Sequence, residues 1–138
     1  MKKNTILLIL FLSLIYSENF FAQSNAAISK IIQKGQRVEL TITASKPFYV
    51  GGNMHILHIG NKDFTHYKQT KKNGKGILTF LIPIEDFNSL VQGDVVWMSY
   101  GNLLKENPGE NINIEEMCKT NPQKLWYFGK FSAKLLKK

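Results

Sequence analysis

Three histidines, one cysteine and a lysine-dense turn hold most of the chemistry open to this 138-residue chain. His55 and His58 stand three apart in Met54-His55-Ile56-Leu57-His58-Ile59, a run with the character of a β-strand. Strand side chains alternate sides, so the two rings point to opposite faces and cannot hold one metal ion between them. His66 follows a turn at residues 60–63 and could approach one of them only if that turn folded it back. Cys118 is the only cysteine, which excludes an internal disulfide and reads as a small buried hydrophobe. A thiol hydrolase would need a histidine beside it, and no spacing places one there. The serines lack the strand-to-helix Gly-x-Ser-x-Gly elbow of a nucleophile. Glu85-Asp86 and Glu115-Glu116 sit at helix starts, where the helix dipole accounts for acidic groups. Gly51-Gly52 and Gly74-Lys75-Gly76 lack the strand-to-helix setting that cradles a phosphate. No catalytic residue, metal ligand or cofactor is therefore assigned.

Binding is the better-supported chemistry. Lys62, Lys68, Lys71, Lys72 and Lys75 gather around Asn73-Gly74. They form a basic lobe, with Lys68, Lys71, Lys72 and Lys75 as the candidate contacts for an anionic partner. Trp97 and Trp126 join them, because a two-layered sandwich would leave one of these indoles exposed to stack on a sugar or base, or to anchor a protein.

The elements that must position these residues are short strands. Arg37 to Ala44 alternates strictly, with Val38, Leu40, Ile42 and Ala44 on one face and Arg37, Glu39, Thr41 and Thr43 on the other. Ile28 to Gln33 forms a short edge strand before it, and Lys46-Pro47 ends the ladder after it. Phe48 to Val50 and Met54 to Ile59 are extended around Gly51-Gly52, the second being a central strand. Gly60 to Asp63 is a turn, and Thr65 to Lys72 pairs with Ile77 to Ile84 across Asn73-Gly74, the strongest hairpin signal in the chain. Glu85 to Leu90 makes a single helical turn. Asp94 to Tyr100 and Lys124 to Leu135 are the last two strands, joined by the long excursion Gly101 to Gln123. Asn113 caps a short helix inside that excursion, running to about Lys119.

About seven short strands without a βαβ rhythm predict an antiparallel β-sandwich, with a small antiparallel barrel as the alternative. Residues 77 to 100, a strand, a one-turn corner with Phe87 and Leu90, then a strand ending in Tyr100, resemble the inter-sheet corner of immunoglobulin-like domains. The resemblance implies architecture only, and the cysteine pair of true immunoglobulin domains is missing.

The N-terminus sets the compartment. Lys2-Lys3 precedes an eleven-residue apolar run, Ile6 to Tyr16, which is too short for the roughly 20 residues a bilayer-spanning helix needs. Residues 1–22 read as a signal peptide cut after Ala22, with Ala26 as the other candidate position, leaving one domain over residues 23–138. No cysteine follows the apolar run to accept a lipid, so the product is expected free in the periplasm or outside the cell. Its net charge falls only from +8 to +7, since Lys2, Lys3 and Glu18 leave together. The expected function is an exported, non-catalytic module for an anionic glycan or a protein partner, without specific nucleic-acid recognition. The alternatives are an accessory subunit of an envelope or secretion assembly, and a small hydrolase or metal enzyme using His55, His58, His66 or Cys118.

Overall fold

The structure is a computed structural model that describes residues 25–48, 51–101, 113–122, 124–132, 134 and 136–137. The segment read as a signal peptide lies outside these residues, as do Tyr49 and Val50. The elements, in chain order, are β1 (Ala26–Lys34), β2 (Arg37–Ala44), β3 (His55–Ile59), β4 (Lys62–Phe64), β5 (Tyr67–Lys72), β6 (Lys75–Pro83), α1 (Ile84–Asn88), β7 (Val95–Tyr100), α2 (Ile114–Thr120), β8 (Leu125–Lys130) and β9 (Leu136–Lys137).

Two sheets stack as a sandwich. One has the order β5-β6-β2-β1-β9 and the other β4-β3-β7-β8, each with free edges, so the barrel alternative is set aside. Every pairing is antiparallel except that of β9 with β1, which is parallel. The one-turn corner α1 carries the chain from β6 in the first sheet to β7 in the second, with Phe87 set edge-on to Phe131 at 5.5 Å.

Alternation builds the core. Val38, Leu40 and Ile42 of β2 and Leu78, Phe80 and Ile82 of β6 are all essentially inaccessible and meet Leu57, Ile59, Val96, Met98 and Trp126 from the other sheet. Each such side chain contributes about 1.5–3 kcal/mol of burial. Asn73 (φ 54°) and Gly74 (φ 77°) both take positive φ, the conformation of a two-residue hairpin turn whose twist matches its strands.

Several expectations change. Residues 62–63 belong to strand β4 instead of a turn, because Asp63 pairs with His58 across a tighter reversal at Gly60-Asn61. The first strand is longer than expected and is not at an edge, since β9 lies beside it. The last expected strand is two: β8 stops at Lys130, and the chain crosses to the first sheet to form β9. Within β8, a bulge at Phe128-Gly129 (φ 90° at Gly129) adds one residue opposite the Val96-Trp97 step. The extra residue shifts the period, so Trp126, Phe128 and Phe131 all reach the central core while Leu125 and Tyr127 face outward.

Helix α2, with Asn113 Oδ1 accepting the Glu116 N–H at 3.2 Å, lies on the outer side of the second sheet. It buries Trp97, Cys118 and Leu125 in a second, smaller cluster, with Ile114 and Met117 packed against it. Helix α2 therefore supplies a third layer over one sheet.

Candidate functional site

The outer face of the five-stranded sheet carries the polar surface. Register and alternation together fix its composition, because residues two apart on one strand share a face. One cross-strand row reads Lys68, Thr79, Thr41 and Lys30 on β5, β6, β2 and β1. A neighbouring row reads Thr70, Ile77, Thr43 and Ala27, and Lys72 stands opposite Lys75 at the hairpin end. At the other end, Arg37 pairs with Lys34. Lys30, Lys34, Arg37, Lys68, Lys72 and Lys75 are all exposed. They frame a centre of half-buried Thr41, Thr43 and Thr79 with Ile77 and Leu81.

Of the seven carboxylates among the described residues, only Glu39 stands on a strand of this face. It is already neutralised, by Lys34 Nζ at 3.4 Å and Arg37 Nη2 at 3.0 Å. Burial pushes its carboxyl up, but the two cations outweigh that and hold it below the usual range. Lys72 and Lys75 face each other as like charges, which is unfavourable unless an anion lies between them.

The expected lysines thus divide. Lys68, Lys72 and Lys75 share the outer face, whereas Lys71 alternates to the inner side with Tyr67 and Gln69. Lys30, Lys34 and Arg37 were not among the expected contacts, because only strand pairing brings β1 and β2 alongside β6 and β5. Thr41 and Thr43 were visible as the wet face of Arg37 to Ala44, whereas Thr79 joins them only through the pairing of β6 with β2. Neither tryptophan belongs to the site: Trp97 lies under α2 and Trp126 in the central core, 4 % and 6 % exposed. The expectation of an exposed indole fails because the sheet that bears both has each face covered.

The histidines separate as the strand period requires, and His66 lies exposed between β4 and β5, so the three rings do not converge. His55 is 1 % exposed and ringed by Phe48, Tyr67, Tyr100 and Trp126, with ring centroids 5.1–5.7 Å away. Its Nδ1 lies 3.4 Å from the Tyr67 hydroxyl, and its Nε2 is buried without a hydrogen-bond partner. Burial pushes its pKa down to about 4.

His58, on the opposite face of β3, joins residues that the sequence reading had not linked. Its Nδ1 donates to Asp63 Oδ1 at 2.6 Å, its Nε2 lies 2.9 Å from Ser99 Oγ, and Trp97 stacks flat on the ring at 3.8 Å. These are the contacts of a Ser-His-Asp relay, atom for atom. The relay is nevertheless shut. Ser99 is 1 % exposed, and its Oγ also lies 2.8 Å from the Gly101 carbonyl, which can only accept. One hydroxyl proton cannot serve both the carbonyl and a neutral imidazole. Burial lowers the His58 pKa, and the Asp63 hydrogen bond and charge offset this only in part. With the indole over its ring and the hydroxyl sealed, the arrangement ties β3, β4 and β7 together and leaves no approach for an acyl carbonyl to Ser99. Cys118 is buried, and burial, then the Glu115 charge, push its thiol up to about 11, far from a nucleophilic thiolate. Among the described residues, no cluster of three or more metal-ligating side chains forms.

No protein-family model, curated protein or solved structure matches this chain.

Proposed function

We propose that this chain is an exported, non-catalytic binding module of immunoglobulin-like architecture, free in the periplasm or outside the cell, whose outer five-stranded face takes an anionic glycan. The observation that carries the reading is the cation frame: six exposed basic side chains around a threonine-lined surface whose single carboxylate is already paired. Such a face raises the local concentration of anions and orients them on encounter.

A glycan suits it better than a protein. Protein interfaces rest on buried aromatic or apolar anchors and are depleted in lysine. The exposed large hydrophobics among the described residues, Met54 and Val91, lie on loops away from this face. Export rests on the apolar N-terminal run. Cleavage after Ala22 leaves β1 whole, whereas cleavage after Ala26 would remove a buried residue that pairs with Ala44.

The test is retention on immobilised heparin at low salt. Changing Lys30, Lys68, Lys72 and Lys75 together to glutamate should bring the protein off at much lower salt. Lys71→Glu alone should have a smaller effect, because that side chain points to the other side of the hairpin. Unchanged retention of the fourfold variant would refute the reading.

A further inference from the structure

The order of side chains along one row of the face restricts which anionic glycan fits. Lys68, Thr79, Thr41 and Lys30 lie side by side on four adjacent strands. Three interstrand steps separate the outer two, about 14 Å between their backbones. The row therefore reads cation, hydroxyl, hydroxyl, cation. Thr41 Oγ1 and Thr79 Oγ1 are 3.3 Å apart, and Ser29 Oγ, lifted onto this side by the bulge in β1, lies 2.9 Å from Thr43 Oγ1. In the Thr41–Thr79 pair one hydroxyl donates to the other, so the accepting partner keeps its own proton, and lone pairs remain on both; Ser29 Oγ donates to the Thr41 carbonyl at 3.3 Å and accepts from Thr43. The middle of the row thus offers both donors and acceptors and carries no charge.

We infer that the occupant is a linear acidic polysaccharide whose charged sugars are separated by neutral ones. It lies across the strands with anionic groups at Lys68 and Lys30 and neutral-sugar hydroxyls over the Thr41–Thr79 pair. The inference rests on the glycan-binding reading and adds the spacing of charge to it. A chain with an anion on every unit, such as polyphosphate or a nucleic acid, would set one over the threonines, where no cation answers it. The described strand residues of this face include no aromatic ring on which a base could stack. An acidic peptide laid on the face would leave its backbone groups without the partners that sugar hydroxyls find for themselves.

The experiment compares the wild-type protein with Thr41→Val/Thr79→Val, whose side chains suit a strand but remove both hydroxyls. Thr41→Ser/Thr79→Ser keeps the hydroxyls and serves as the rescue. Affinities are measured by titration calorimetry at fixed ionic strength against a hyaluronan oligosaccharide, charged on alternate sugars, and against polyglutamate. Far-ultraviolet circular dichroism checks the fold of each variant. The expected result is about a tenfold loss of oligosaccharide affinity in the valine variant, equivalent to about 1.4 kcal/mol. Polyglutamate affinity should be unchanged, and the serine variant should behave like wild type. Equal oligosaccharide affinity in the valine variant would overturn the inference while leaving the cation-frame reading intact. An equal loss for polyglutamate would overturn it as well, because the threonines would then serve no sugar hydroxyl. Failure of the wild-type protein to bind either polymer would bring down the glycan-binding reading itself.

Discussion

His55 makes the fold acid-sensitive, by an amount that follows from its surroundings. The imidazole is sealed among four aromatic rings, and burial lowers its pKa from 6.5 to about 4. The unfolded chain therefore binds a proton that the folded chain refuses between these two values. Stability from this residue is fully present above pH 6.5 and declines as pH falls toward 4. Proton linkage across this window gives a loss of about 2 kcal/mol on going from pH 7.5 to pH 5, approaching about 3 kcal/mol below pH 4. His55→Phe keeps the ring, removes the titration and also removes the orphaned Nε2. The backbone N–H of residue 55 still donates to the Tyr67 hydroxyl, at 3.1 Å in the native protein. Urea unfolding followed by tryptophan fluorescence at pH 7.5 and 5 would measure the difference, since both indoles are buried. The wild-type protein should lose about 2 kcal/mol more than the variant over that interval. His58 shifts in the same direction, but it is present in both proteins and cancels. Parallel losses in the two proteins would refute the assignment of the acid sensitivity to His55.

Other perturbations test the remaining architecture. Ser99→Ala leaves the Gly101 carbonyl and His58 Nε2 without their shared hydroxyl and should cost about 1–3 kcal/mol in urea unfolding. In the native protein, a fluorophosphonate should leave Ser99 unlabelled by mass spectrometry, and an adduct there would refute the shut relay. Gly76→Ala would place a methyl group 2.7 Å from the Lys46 carbonyl oxygen and 2.8 Å from the Phe48 nitrogen. Both are backbone atoms that cannot swing aside, so thermal unfolding should show about 1–3 kcal/mol of destabilisation. Asn113→Ala removes the cap of α2 and should cost about 1 kcal/mol. Cys118, the buried residue on the sheet-facing side of that helix, should then react faster with a thiol reagent, and an unchanged rate would show that the cap does not hold the third layer in place.

The strands were legible where local chemistry speaks for itself. The strict alternation of Arg37 to Ala44, the Asn73-Gly74 turn and the Asn113 cap each follow from a few neighbouring residues, and each appears in the fold. The opposed directions of His55 and His58 follow from the strand period alone. The bulge at Phe128-Gly129 could not be read in this way, because an alternation-based reading has no means of knowing where one residue is left unpaired. That single residue brings Phe131 onto the same inward face as Trp126 and Phe128. The site was half legible. Lysines close in sequence announced themselves, but Lys30 and Arg37 belong to the same face only through the β1–β2–β6–β5 pairing. Asp63 and Ser99 became partners of His58 only because β4 and β7 flank β3.

What the sequence determined by itself is the class of the molecule: short amphipathic strands that must pair to bury one face, and a surplus of positive charge. These depend on residue type and on spacings of a few positions, where sterics and local hydrogen bonding dominate. The tertiary structure alone decided which of the two sheet faces meets solvent. Helix α2 covers the second sheet over Trp97, packing between the sheets takes in Trp126, and the first sheet keeps an open, cation-framed surface. That choice depends on contacts between segments far apart in the chain, whose register is set by packing across the whole core.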